Sequence, residues 1–180
     1  MKKYIVKKTK GKGQGLFAAK SVEKGELIYH LDKSRLKRYT LDEINQLVKK
    51  GKLTEEQTEH CDYAGNKKYV VDFSPASYMN HSCDPNTIYK MKSILEGDII
   101  ALKDIRKGEE LTHDYSAAAV DQIDNKKGWV MHCRCGSKNC RKKITGDFFK
   151  LSIKLQKKYY PYLPPSIKRK YKERFKKIFE

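Results

Sequence analysis

Apolar positions in this chain come in short bursts, most of them bounded by Gly, Pro, Asp or Asn. Residues 4–9, 26–31, 69–73, 98–103 and 110–115 are rich in β-branched or aromatic residues, which predicts five short strands. Val22-Glu23-Lys24-Gly25-Glu26 and Ile105-Arg106-Lys107-Gly108-Glu109 read as tight turns that each lead into a strand; two such copies do not make a repeat architecture. Thr40-Leu41-Asp42-Glu43 is a capping box that opens a helix through about Lys50, with Gly51 as its stop. A second short helix is predicted over Thr54–His60.

Toward the C-terminus the period changes. Asp147 can cap a helix whose Phe148, Leu151 and Leu155 form one apolar stripe. Tyr159 to Pro165 is a Tyr/Pro-rich break, after which Ser166 opens a basic helix with Ile167, Tyr171, Phe175 and Ile178 on one face. That face is expected to dock on the domain itself, with a membrane surface or a partner as the alternative.

A chain of 180 residues has room for one domain with a real core. No apolar run approaches the roughly 20 residues that span a bilayer, and Tyr4-Ile5-Val6 is too short for a signal-peptide core. An intracellular protein with reduced thiols is the expectation: nucleus or chromosome if the source is eukaryotic, cytoplasm otherwise.

The net charge of +18 is uneven, since residues 141–180 hold 14 Lys and Arg against 3 Asp and Glu. Only 7 of the 40 basic residues are Arg, the side chain suited to bidentate base and phosphate contacts, so loose contact with nucleic acid is expected before sequence recognition. So cationic a chain also repels free basic peptide segments, which predicts a partner with an acidic surface, or a basic protein already held on nucleic acid.

Cys133-Arg134-Cys135-Gly136-Ser137-Lys138-Asn139-Cys140, with Cys83 fifty residues upstream, offers four thiolates, enough for a tetrahedral zinc shell. Spacing alone leaves zinc and free thiols open; an odd total of five cysteines argues against a disulfide framework. Cys61 is read as an ordinary small residue.

Asn80-His81-Ser82-Cys83-Asp84-Pro85-Asn86, Gly108-Glu109-Glu110-Leu111-Thr112-His113-Asp114-Tyr115 and Gly13-Gln14-Gly15-Leu16-Phe17 resemble the signatures of SET-domain protein lysine methyltransferases. The cysteine run is similar to that family's post-SET zinc segment, with Cys83 as fourth ligand, and the motifs fall in the family's order. The resemblance implies a mainly β fold with a few helices (α+β), made of small sheets with a pseudoknot, plus a helical C-terminal extension. It divides the chain into a SET region at 4–115 with a variable insertion at about 33–68, a post-SET segment at 129–145 and a basic extension at 146–180.

The resemblance also implies roles. S-adenosyl-L-methionine would be held by Lys12, Gly13, Gln14, Gly15, Leu16, Asn80, His81 and Tyr115, and structural Zn2+ by Cys83, Cys133, Cys135 and Cys140. Tyr115 would serve the chemistry, and Tyr89 and His113 would line the channel for the substrate lysine. The family usually has Phe or Tyr where His113 stands and often Arg-Phe-Ile where Ser77-Tyr78-Met79 stands. These features favour mono- or dimethylation of a protein substrate, a histone or another protein, by a monomer. Trp129, just before the cysteine run, is expected as a core or rim anchor, with a cover over the cofactor or the lysine channel as the alternative. Two alternatives remain: a SET-like binding module with weak or no activity, and a zinc-stapled nucleic-acid-associated protein.

Overall fold

The computed structural model describes residues 2–9, 11, 13–120 and 129–180. Its strands are short and assemble into four small sheets. Tyr4–Lys8 (β1) and Gln14–Ala18 (β2) form a hairpin, and Leu27–Asp32 (β3) follows. The helices Leu41–Lys49 (α1) and Glu55–Thr58 (α2) precede a second hairpin, Cys61–Gly65 (β4) with Lys68–Val71 (β5). Asn80–His81 (β6), Thr87–Met91 (β7), Glu96–Ala101 (β8) and Glu110–His113 (β9) complete the central part. Val130–His132 (β10) pairs with Lys143–Thr145 (β11), and the helices Ile153–Tyr159 (α3), Pro165–Lys170 (α4) and Lys172–Phe179 (α5) end the chain.

The sheet that positions the site has the order β1-β2-β9-β6. β9 runs antiparallel to β2 and parallel to β6, with Asn80 opposite Thr112 and His81 opposite His113. Residues 110–113 are thus brought beside residues 80–81, about thirty positions earlier. Asn86 secures this contact: its Nδ2 donates to Glu110 O (2.8 Å), and its Oδ1 accepts from Thr112 N–H (2.8 Å). Thr87, fully buried, donates its hydroxyl to Thr112 O at 2.9 Å.

Two cores flank this sheet. The first, built on Leu16, Val22, Ile99, Ile105 and Leu111, lies between β2, β9 and the β3-β8-β7 sheet. The second joins Ile88 and Met91 of β7 to Phe148, Tyr159, Ile167, Phe175 and Ile178. The apolar faces of α4 and α5 are therefore turned inward, leaving their lysines outside. A stripe of this kind is stable only when covered, and here the chain covers its own.

Several sequence expectations need correction. The strand predicted over 110–115 ends at His113, because Asp114 caps a 3-10 turn over Tyr115–Ala118 through its side chain to Ser116 N–H. The helix expected from Asp147 is broken: Asp147 caps only a 3-10 turn over Phe148–Lys150, Leu151 is extended, and Ser152 caps α3 anew. Gln156 Nε2 donates to Phe149 O (3.3 Å) and Leu151 O (2.7 Å), satisfying carbonyls that the break frees. The basic helix starts at Pro165, a residue well suited to a first helical turn, and Tyr171 divides it in two. Strands β2, β4, β6, β7, β10 and β11 were absent from the strand expectations. Of these, β6, β10 and β11 have only two or three residues, too few to show an alternation of their own.

Candidate active site and metal centre

Gly15 lies where the β1–β2 hairpin meets the Asn80 segment. A Cβ at this position would sit 2.6 Å from Thr9 Cγ2 and 3.0 Å from both Asn80 Nδ2 and Glu110 Oε1, so only glycine fits without displacement. Gly13 has φ +69°, and its carbonyl accepts from Thr9 N–H at 2.8 Å, closing the turn. Asn80 Nδ2 donates to Gln14 O (3.1 Å) and to Glu110 Oε1 (2.7 Å), which ties the hairpin to β9 and leaves the amide oxygen to face a ligand. Leu16 is fully buried in the first core. Lys12 lies outside the described residues.

His81 is buried and uses both ring nitrogens within the protein. Its Nδ1 accepts from Tyr115 N–H (3.2 Å), which places the proton on Nε2, 3.3 Å from Cys83 Sγ. It therefore links the cysteine cluster to the backbone of Tyr115. The Tyr115 ring lies between two imidazoles, with centroids 5.2 Å from His81 and 4.8 Å from His113. Its hydroxyl donates to Met79 O at 3.0 Å. Burial, helped by Asp62 and Glu110, pushes the phenol up to about 12, so it stays a protonated donor at neutral pH.

On the other side of Tyr115 is a cavity of about 340 Å³. Tyr89, His113, Met79 and Trp129 line it, as do Leu163, Pro164 and Ile167 of the C-terminal segment. Among the described residues, Tyr89 Oη and His113 Nδ1 are buried and lack a hydrogen-bond partner, so both are open to a ligand or an ordered water. Trp129 packs across Gly146, whose Cβ would lie 2.4 Å from its Nε1, and is 37 % exposed: a rim position. Cys61 lines the same cavity.

The local charge opposes the global one. Glu59, Asp62 and Asp72 line the cavity, and the lysine among them, buried Lys33, is bound to Asp62 Oδ2 at 2.9 Å. The expectation that the chain's positive charge repels a basic substrate segment does not extend to this cavity, whose carboxylates attract cations at close range.

Burial drives the pKa of His113 down to about 4, with the neighbouring His81 acting the same way. The folded state thus takes up its proton below about pH 4, and the unfolded chain near 6.5. Between these values the unfolded chain binds more protons, so stability falls as pH drops. This loss reaches up to about 3 kcal/mol by pH 4. Denaturant titrations across pH 4 to 7 check this: His113→Phe should flatten the slope by that amount.

The four cysteines Cys83, Cys133, Cys135 and Cys140 converge, with all Sγ atoms within 4.8 Å of one another. Zn–S bonds of about 2.3 Å set tetrahedral sulfur atoms about 3.8 Å apart, and Cys83 Sγ lies 3.7 Å from Cys133 Sγ. Backbone amides of Arg141 and Cys83 point at Cys83 Sγ (3.4 Å) and Cys135 Sγ (3.5 Å), as thiolate ligands require. The all-sulfur set fits a closed structural zinc site.

Asp114 went unassigned by the sequence motifs. It is fully buried; Arg141 Nη2 (2.6 Å) and Ser116 N–H (3.0 Å) donate to Oδ1, and the Tyr159 hydroxyl (3.1 Å) donates to Oδ2. An acidic residue before the motif tyrosine was visible in sequence, but its side-chain partners Arg141 and Tyr159 lie 27 and 45 positions away and carry no local signal.

A SET domain family model matches residues 13–116, more than half the chain. The chain belongs to the SET domain family. Histone-lysine N-methyltransferase trithorax of Drosophila virilis is 32% identical over 145 residues, covering 72% of this chain and 3% of that protein. Human histone-lysine N-methyltransferase 2D is 33% identical over 138 residues, covering 72% of this chain and 2% of that protein. The chain thus spans a few hundredths of the length of these relatives. The methyltransferase domain of human histone-lysine N-methyltransferase SETMAR shares the fold, with a TM-score of 0.51 and 21% identity over 77% of this chain and 56% of that one.

Proposed function

We propose that this protein is an S-adenosylmethionine-dependent protein-lysine N-methyltransferase. The observation that carries the reading is the Tyr115 hydroxyl on Met79 O at 3.0 Å. This pair stands where the Asn80–His81 strand meets a cavity holding two unpartnered polar atoms. S-adenosylmethionine, when bound, supplies an electrophilic methyl group. Gly13, Gln14, Gly15, Asn80 and His81 form its cradle: the Gly15 backbone allows close approach, and the Asn80 amide oxygen accepts from a ligand amine.

The substrate ε-amine must arrive uncharged. A lysine with pKa about 10.4 is neutral roughly once in 2,500 molecules at pH 7, a cost of about 4.6 kcal/mol. Burial in the cavity beside Tyr115 disfavours the ammonium by desolvation, against the pull of Glu59, Asp62 and Asp72 that draws the lysine in. Met79 O and the Tyr115 oxygen then orient the amine, and holding it at near-attack distance contributes several kcal/mol. Cys83, Cys133, Cys135 and Cys140 hold a structural zinc ion that shapes the pocket and takes no part in the transfer.

Tyr89 and His113 set the number of methyl groups. A water bound between Tyr89 Oη and the amine would have to be displaced for a dimethylated amine to react again, so the products are mono- and dimethyl-lysine. Tyr89→Phe should raise the next methylation state by about tenfold, the equivalent of one hydrogen bond; product mass spectrometry reads this directly. Trimethyl-lysine as the main wild-type product would refute it.

The substrate is a protein lysine, and the names of the relatives point to histones in a chromatin setting. No helix among the described residues is long and apolar enough to cross a membrane. The lysines of α3 to α5 face solvent and provide a polyanion contact, with nucleic acid as the expected partner of a monomer. Calorimetry tests the central reading: one S-adenosylmethionine should bind per chain, and Asn80→Ala should weaken it. Absence of binding would overturn the proposal.

A further inference from the structure

The C-terminal extension reaches the site at two places. Tyr159 is 0 % exposed, and its ring packs in the second core. Its hydroxyl donates to Asp114 Oδ2 at 3.1 Å. Asp114 is also 0 % exposed, and its other oxygen serves Arg141 and the Ser116 amide. A turn later, Leu163, Pro164 and Ile167 line the cavity that holds Tyr89, His113 and Tyr115.

We propose that the C-terminal extension serves the active site at two points, with Tyr159 a positioning residue for Tyr115 and Ile167 a wall that reads the substrate chain. This rests on the methyltransferase reading above. Asp114 immediately precedes Tyr115 and caps the turn on which Tyr115 stands. The Tyr115 amide is fixed on His81, so the orientation of the Asp114–Tyr115 peptide decides where the phenol points. A fully buried carboxylate holds one orientation only while its lone pairs are satisfied. Arg141 and Ser116 act on one oxygen; among the hydrogen bonds of the described residues, Tyr159 serves the other. Burial and the nearby Asp114 carboxylate both push the Tyr159 pKa up, so the hydroxyl stays a donor. The ring alone would fill the core equally well as phenylalanine; what the hydroxyl adds is the bond to Asp114.

The test compares three variants of the zinc-loaded full chain in steady-state methyl transfer to protein. Tyr159→Phe should lower kcat about tenfold, leaving KM for S-adenosylmethionine unchanged. Phe175→Leu loosens the same core without touching Asp114, so it should lower the melting temperature and keep kcat. Ile167→Ala should raise KM for the protein substrate several-fold at unchanged cofactor KM. Wild-type kcat in Tyr159→Phe, or an equal kcat loss in Tyr159→Phe and Phe175→Leu, would overturn the positioning role. An unchanged substrate KM in Ile167→Ala would overturn the wall. A wild-type chain that transfers no methyl would instead sink the methyltransferase reading, and this inference with it.

Discussion

Replacing Tyr115 with phenylalanine should lower kcat by about 10²- to 10³-fold, the range seen when one preorganised donor is removed from a water-poor site. The ring would keep its place between His81 and His113, 5.2 and 4.8 Å away, so the pocket wall survives. What is lost is the hydroxyl on Met79 O. Met79 O then has no partner from Tyr115, and the amine loses one of the two oxygens that align it. The stability cost is small by comparison, about 1–3 kcal/mol for an unsatisfied buried carbonyl. Steady-state kinetics with a thermal melt separates the two effects. A Tyr115→Phe variant as active as its parent would remove Tyr115 from the chemistry.

Metal removal should be more drastic. The cluster around Cys83, Cys133 and Ile144 is a small apolar patch, too small to hold β10 and β11 without an ion. Structural zinc in comparable short segments contributes about 10–16 kcal/mol of apparent binding energy at pH 7. Chelation, or Cys133→Ser, should therefore abolish transfer and strip hydrogen-exchange protection from residues 129–145. Because Cys83 Sγ is bound to His81 and to the Arg141 amide, the loss should spread to the Asn80 segment. The β3-β8-β7 sheet, which packs on the two larger cores and not on the cysteine cluster, should stay protected. Metal-free protein with full activity and intact protection at residues 129–145 would contradict this account.

The small-sheet fold and the convergence of the cysteines were legible through the family resemblance of the motifs, and some local elements through sharp turn and capping chemistry. The capping box at Thr40 is an example: both of its reciprocal hydrogen bonds are present. What stayed hidden depends on contacts between distant residues. The Asn86 brackets on β9, the Asp114 brace and the carboxylates lining the cavity pair positions that the chain separates by tens of residues. The C-terminal helices were misplaced for a related reason. Gln156 compensates a break after Phe148–Lys150 that the apolar stripe alone would have run through. His113 and Tyr89, expected from the resemblance to line a lysine channel, both border the cavity, and each has a buried polar atom without a hydrogen-bond partner among the described residues.

The most direct test is incubation of the zinc-loaded chain with methyl-labelled S-adenosylmethionine and a whole-cell extract, followed by mass spectrometry of the labelled proteins. The account predicts label on lysine side chains as mono- and dimethyl products, and none with Tyr115→Phe. Label on another residue type, or none from the wild-type chain, would contradict it.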